Sequence, residues 1–366
     1  MTQQPHFPTP PHFPTDPYPK ATLMNRLAMK ASFRPVPLFI AVIVSLITFN
    51  AQADDIGNVE VESPTPFVQD NAPVFDPIND PINNGAYFST FLTRGSELIK
   101  HPDAKAFEDL KSDLKKAPRS INLPVPPRNA ADGVSVFQSM MEASVMVGTI
   151  YDCGRCSNLH PNISGGVIIS SDGLVLTNHH VIDRSDSGIK GMLVMTHDGC
   201  AYPIVEVLAG SRRSDVALIR IKADRPLRAA PLAEVAPMTM DAINVISHPQ
   251  NQFYVLTQGV VSRHAKPTLT GDRGTWMEIT ANFAGGSSGS GVFNARGEVV
   301  GLVSRIYPLF RTSENGAMPT ANADQAASFD KYAEMILRRC VPHQALVACF
   351  SGSQSEPENE PESVEE

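Results

Sequence analysis

Basic residues are in deficit. Against 38 Asp and Glu the chain sets only 30 Lys and Arg, a formal net charge of −8. No surplus remains to neutralise phosphates, and nucleic acid is set aside as a partner. Long apolar runs are missing too. The most apolar stretch, Leu38 to Phe49, follows Lys20, Arg26, Lys30 and Arg34 and precedes Ala51-Gln52-Ala53. It is short for a membrane span and has the order of a secretory signal cut after Ala53, so a membrane association is expected only if that segment is kept as an anchor. The Pro-His-Phe-Pro-Thr repeat at residues 5–9 and 11–15 precedes Met24 and Met29, and either methionine starts a leader of ordinary length.

Cysteine is scarce, with five in 366 residues. Cys153-Gly154-Arg155-Cys156 lacks a second close pair and has only His160 nearby, which argues against a zinc centre; it also lacks the βαβ setting of thiol redox enzymes. No metal and no cofactor are expected. Behind a cleaved signal the thiols meet an oxidising compartment. Cys340 and Cys349, flanking a short loop with Pro342, are then the first candidates for a bridge. Cys153 and Cys156 pair with each other or one of them reaches Cys200, and one thiol is left over.

The flanks carry little chemistry. Residues 54–84 are rich in Pro, Asn and Asp and read as an extended arm. Tyr87 to Ala117 reads as two amphipathic helical pieces broken at Pro102, with Phe88, Phe91 and Leu92 in one and Phe107, Leu110 and Leu114 in the other. Such a stripe docks on its own domain or meets a partner. Leu123-Pro124-Val125-Pro126-Pro127 is a stiff linker. The last 16 residues hold six glutamates, two prolines and no aromatic residue, the composition of a solvated tail. The expected organisation is a leader with signal over 1–53, an extension over 54–129, a folded domain over 130–350 and a tail over 351–366.

Within the folded region, short Val/Ile/Leu runs recur between Gly, Asp, Asn and Pro: 144–151, 166–169, 174–177, 192–196, 203–208, 217–221, 241–246, 254–262, 275–279, 291–293 and 299–306. With turn pairs at Asp172-Gly173 and Asp198-Gly199, this spacing indicates an all-β sandwich or barrel. A helix is expected from about Asn322 to Arg339, with Phe329, Tyr332, Ala333 and Ile336 on one face.

One stretch stands out. Gly286-Ser287-Ser288-Gly289-Ser290-Gly291 offers no packing volume, yet it lies between strand-like runs, where a flexible linker does not belong. It can turn tightly and expose a hydroxyl beside backbone N–H groups. Upstream, Thr177-Asn178-His179-His180-Val181 supplies a base and Ser214-Asp215-Val216-Ala217-Leu218 an acid. The chain order is His, Asp, Ser.

By these motifs, together with Gly259 to Ser262, the sequence resembles the chymotrypsin-like (trypsin-like) serine peptidases of the bacterial Deg/HtrA-like branch over roughly residues 130–340. The resemblance implies two six-stranded antiparallel barrels with a C-terminal helix. It implies His180, Asp215 and Ser288 as catalytic residues, His180 rather than His179 because the base directly precedes the apolar Val181. The oxyanion hole falls to the N–H groups of Gly286 and Ser288. Substrate binds as an added strand along Ser304, Arg305 and Ile306, with Asn282 near the floor of the specificity pocket. Arg305 and Ile306 replace the family's Trp and Gly. An uncharged Asn282 disfavours Arg and Lys at the cleavage site and suits small or medium apolar side chains. Ser287 stands where animal enzymes bind a newly released N-terminus and cannot form that ion pair. With only the acidic tail after the folded domain, the PDZ module common in this branch is not expected. The expected partner is a protein or peptide substrate. The competing expectation is a catalytically silent barrel used for peptide binding.

Overall fold

The structure, a computed structural model, describes residues 75–116, 135–266, 274–310 and 333–351. All belong to one compact unit, Glu62–Glu366. The leader, most of the arm, the Pro-rich linker and the tail lie outside the described residues.

Twelve strands close into two antiparallel barrels. The first holds β1 (Ser144–Asp152), β2 (Leu159–Ser170), β3 (Leu174–Thr177), β4 (Ile189–Met195), β5 (Ala201–Ser211) and β6 (Val216–Ile221) in the order β1-β2-β3-β6-β5-β4. The second holds β7 (Ala242–Ser247), β8 (Val255–Ala265), β9 (Trp276–Ile279), β10 (Gly291–Asn294), β11 (Val299–Phe310) and β12 (Ala333–Pro342) in the order β10-β11-β12-β9-β8-β7. Closure removes the exposed edges that an open sheet must protect. The expected two-barrel architecture is thus the one observed.

Strand periodicity explains the cores. Successive residues of β1 point to opposite faces, and both faces are covered. Val145 and Val147 join a cluster with Ile168, Val175, Val194 and Ile219, while Met146 and Ile150 join a second cluster that reaches residues of the other barrel, including Phe293 and Leu302. Ile243, Val245, Val261, Met277 and Val292 form a third cluster in the second barrel.

Helices cover the first barrel. Helix α1 (Asn84–Leu98) starts at Asn83, whose side chain accepts from Ala86 N, and α2 (Phe107–Leu114) follows after the Pro102 break. The expected stripe docks. Phe91 is fully buried, worth roughly 1.5–3 kcal/mol, and Phe107, Leu110 and Leu114 enter the first-barrel cluster. Tyr87 Oη donates to His197 O at 2.6 Å, and Asn84 Oδ1 accepts from Phe253 N at 2.8 Å, so α1 ties to both barrels. A further helix, α3 (Val136–Ala143), begins at the N-cap Ser135 and leads into β1; the strand-based reading did not anticipate it.

Two expectations are corrected. The residues expected to finish the closing helix form β12 instead, and the helix lies beyond them at His343–Ser351. Residues 322–332 of that expected helix fall outside the described residues. The physical reason is closure: β12 pairs with β11 on one side and β9 on the other, and without it the second barrel would stay open. Tertiary pairing overrides a local helical stripe. The Cys340–Cys349 bridge is not formed, because the two side chains face different apolar clusters. Cys153, Cys156 and Cys200 are likewise unbridged.

Candidate active site

The candidate base and acid meet at strand ends of the first barrel. Immediately after β3 comes a single helical turn, α4 (His179–Ile182). Val181 and Ile182 are buried in the barrel cluster and anchor the turn, leaving the His180 side chain about half exposed at its outer face. Asp215 precedes β6 in the left-handed region, φ 54°, a conformation Asp tolerates better than most residues. Its carbonyl accepts from Asn178 Nδ2 at 2.9 Å. Its carboxylate faces His180 Nδ1 at 2.9 and 3.0 Å and accepts from His180 N at 3.2 Å and from Ser304 Oγ at 2.5 Å. Burial works to raise the Asp215 pKa. The bond to the His180 ring, the attraction of that ring and the bonds from Ser304 and His180 N outweigh it, and the carboxyl titrates below its ordinary range. An ionised Asp215 holds the ring with its Nδ1 as donor, freeing Nε2 to accept a proton.

The glycine-rich loop that carries Ser288 is stitched to both barrels. Gly165 N on β2 donates to Ser288 O at 2.7 Å, Gly289 N donates to Val303 O at 2.8 Å, and Val303 N donates to Ser290 O at 2.9 Å. Gly289 has φ +82°, and a Cβ there would stand 2.3 Å from Gly165 O. Only glycine lets the barrels approach this closely. Gly286 has φ +93°, and a Cβ there would meet His248 O at 2.7 Å. Among the described residues, no backbone acceptor meets the N–H of Gly286 or Ser288, although Ser287 N is bonded to Ala284 O and Ser290 N to Ser287 O. Ser288 Oγ donates to Ser304 O at 3.2 Å. Ser287 is buried, and its hydroxyl bonds that of Ser247 at 3.2 Å.

Two roles carried no signal in the sequence. Ser304 was expected only as a substrate edge, yet its hydroxyl supports Asp215 while its carbonyl meets Ser288. His248 is buried under the glycine-rich loop of Ser288, accepts from Tyr254 N and faces Val145 O at 3.2 Å. Burial pushes its pKa down to about 4, against the opposing pull of the Val145 carbonyl. A lone His followed by Pro249 carries no sequence signal for this.

Beside the His–Asp pair lies a cleft of about 630 Å³, lined by His179, His180, Asp183, Arg212, Asp215, Ser304 and Arg305. Ser304, Arg305 and Ile306 belong to β11. Their register on β12 continues through Arg305↔Arg339 and Ile306↔Arg338, whereas pairing with β10 stops at Leu302. One backbone edge of this segment therefore faces no strand among the described residues. Arg305 lies over the Trp276 ring, 4.4 Å from its centroid. Asn282 is exposed outside that cleft, its Oδ1 3.5 Å from Arg338 Nη2. Cys153 and Cys156 sit at the tip of the β1–β2 hairpin, and neither lines the cleft.

Comparison with known proteins gives the same frame. Residues 164–302 match the trypsin-like peptidase domain family. The chain carries a trypsin-like peptidase domain. That matched span runs from β2 into β11 and holds His180, Asp215 and Ser288. The domain is 29% identical over 172 residues to the serine endoprotease DegS of Escherichia coli (strain K12), 45% of this chain and 47% of that protein. It is 31% identical over 150 residues to a probable periplasmic serine endoprotease DegP-like of Marinomonas sp., 40% of this chain and 30% of that protein. DegS of Haemophilus influenzae is 30% identical over 148 residues. The chain thus spans half or less of the length of these relatives.

Proposed function

We propose that this peptidase domain is a serine endopeptidase that cleaves extended or unfolded protein segments through an acyl-enzyme. The observation that carries the reading is the convergence at Ser304, which joins the Asp215–His180 pair to Ser288. His180 Nε2 takes the proton of Ser288 Oγ as that oxygen attacks the scissile carbonyl. Asp215 keeps the imidazole in the competent tautomer and offsets its positive charge. The tetrahedral oxyanion is held by the N–H groups of Gly286 and Ser288, which have no backbone acceptor to give up among the described residues. His180 then protonates the leaving amine, and water, deprotonated by the same ring, releases the acyl group.

The edge of Ser304 to Ile306 that faces no strand among the described residues supports substrate entering as an added strand. Arg338 beside Asn282 places positive charge near the expected floor, which adds to the disadvantage of Lys and Arg at the cleavage site. The periplasmic naming of a relative and the basic, apolar, small-residue order of residues 20–53 support action outside the cytoplasm. In the proposed organisation residues 1–53 are a leader cut after Ala53, 54–129 an extension that packs through α1 and α2, 130–350 the peptidase domain and 351–366 a tail.

One observation favours the silent alternative: Ser288 Oγ points to Ser304 O. The peptidase reading requires a rotation of this side chain toward His180. A fluorophosphonate probe separates the two. Labelling that disappears in Ser288→Ala supports the endopeptidase, and an unlabelled, well-folded protein supports the peptide-binding barrel.

A further inference from the structure

Among the described residues, one cluster of metal-ligating side chains stands outside the peptidase site. β1 ends at Asp152 and β2 begins at Leu159, and the turn between them carries Cys153 and Cys156, with His160 entering the second strand. Cys153 Sγ lies 3.4 Å from Cys156 Sγ, and Cys156 Sγ lies 3.0 Å from His160 Nε2. All three ligand atoms fall within 4.8 Å of one another.

These separations belong to a chelate rather than to a bridge. A disulfide needs about 2.05 Å between sulfurs. A tetrahedral zinc site with Zn–S near 2.3 Å sets its sulfurs about 3.8 Å apart, close to the spacing observed. The turn is shaped for convergence: Gly154 takes φ +66° and donates its N–H to Asp152 Oδ1 at 2.8 Å. Burial does not account for the thiols, since Cys156 is exposed and Cys153 only half-buried; the half-buried His160 ring rests against that of Tyr151, centroids 5.5 Å apart.

The thiol chemistry agrees. Two thiolates and a neutral imidazole balance a divalent charge. Soft sulfur with nitrogen favours zinc over magnesium or calcium, which prefer oxygen.

We infer that Cys153, Cys156 and His160 bind one zinc ion, with water as fourth ligand, and that the ion pins the tip of the β1–β2 hairpin. This reverses the expectation from sequence that no metal is held. A second close cysteine pair is not needed once the hairpin register brings His160 to the turn, where it pairs with Tyr151. The pinned tip also touches the peptidase site's own framework. Asp152 N donates to Gly188 O at 2.9 Å, in the connection that leaves α4 and its His180. The zinc assignment does not depend on the peptidase reading.

The test uses the full chain purified without chelators, its metal content measured by mass spectrometry and its zinc then replaced by cobalt. One equivalent of zinc is expected, with the thiolate-to-cobalt charge-transfer band and intense visible absorption of a four-coordinate site. Cys153→Ser and Cys156→Ser should each lose both signals while circular dichroism shows the barrels intact. His160→Ala should weaken binding by more than the roughly 10- to 100-fold typical of outer-shell changes. Protein isolated with a Cys153–Cys156 disulfide, or reduced protein that takes up no cobalt, would overturn the inference. Metal retained in both cysteine variants would overturn it equally.

Discussion

The hydroxyl of Ser288 donates to the carbonyl oxygen of Ser304 across 3.2 Å, and the hydroxyl of that same Ser304 donates to Asp215. One residue of β11 therefore touches both the candidate acid and the candidate nucleophile. Ser304→Ala removes the bond to the buried carboxylate but keeps the backbone carbonyl and the strand edge. A hydrogen bond to a charged group contributes about 1.5–3 kcal/mol, so kcat is expected to fall roughly 10- to 100-fold, with KM changed much less. Steady-state kinetics on a peptide substrate check this.

The two adjacent histidines should part company. His180→Ala removes the ring that faces Asp215, and turnover should fall by roughly 10⁴-fold or more, as should that of Ser288→Ala. His179→Ala should lose less than about tenfold by the same arithmetic. Equal losses at the two histidines would contradict the assignment of the base.

Acid should weaken the fold through His248. Its folded pKa is about 4, against about 6.5 in an unfolded chain. Between these values the unfolded state binds more protons. The stability contributed by the neutral ring is therefore complete above about pH 6.5 and declines as pH falls toward 4, by about 3 kcal/mol in total. Urea unfolding across that range should show the decline, and His248→Gln should flatten it. A wild-type slope that persists in the variant would place the titration elsewhere.

Gly289→Ala tests the seam between the barrels. The new methyl would need φ +82° and a position 2.3 Å from Gly165 O, a contact with backbone that cannot swing away. Left-handed strain together with overpacking should cost roughly 2–4 kcal/mol. Thermal unfolding should register a lower midpoint, and labelling of Ser288 should drop with it.

Some features could be read along the chain because their physics is local. The eleven strand-like runs needed only alternation and turn residues, and the break at Pro102 needed only a residue that cannot continue a helix. The motifs around His180, Asp215 and Ser288 were visible because each is a strand end with its chemistry attached. Local physics misled where pairing partners mattered. Ala333 and Ile336 lie on a helical stripe, yet they belong to β12, because β9 and β11 each require a neighbour. Cys340 and Cys349 are close in sequence but face separate cores.

The amino-acid order alone determined which residues could supply a base, an acid, a hydroxyl and flexible glycines, since those capacities reside in side-chain and backbone chemistry at single positions. Only the tertiary structure decided that Ser304 links Asp215 to Ser288 and that His248 sits beneath the glycine-rich loop. Those relationships arise from strand register and barrel closure, which join residues far apart in the chain and leave no local pattern.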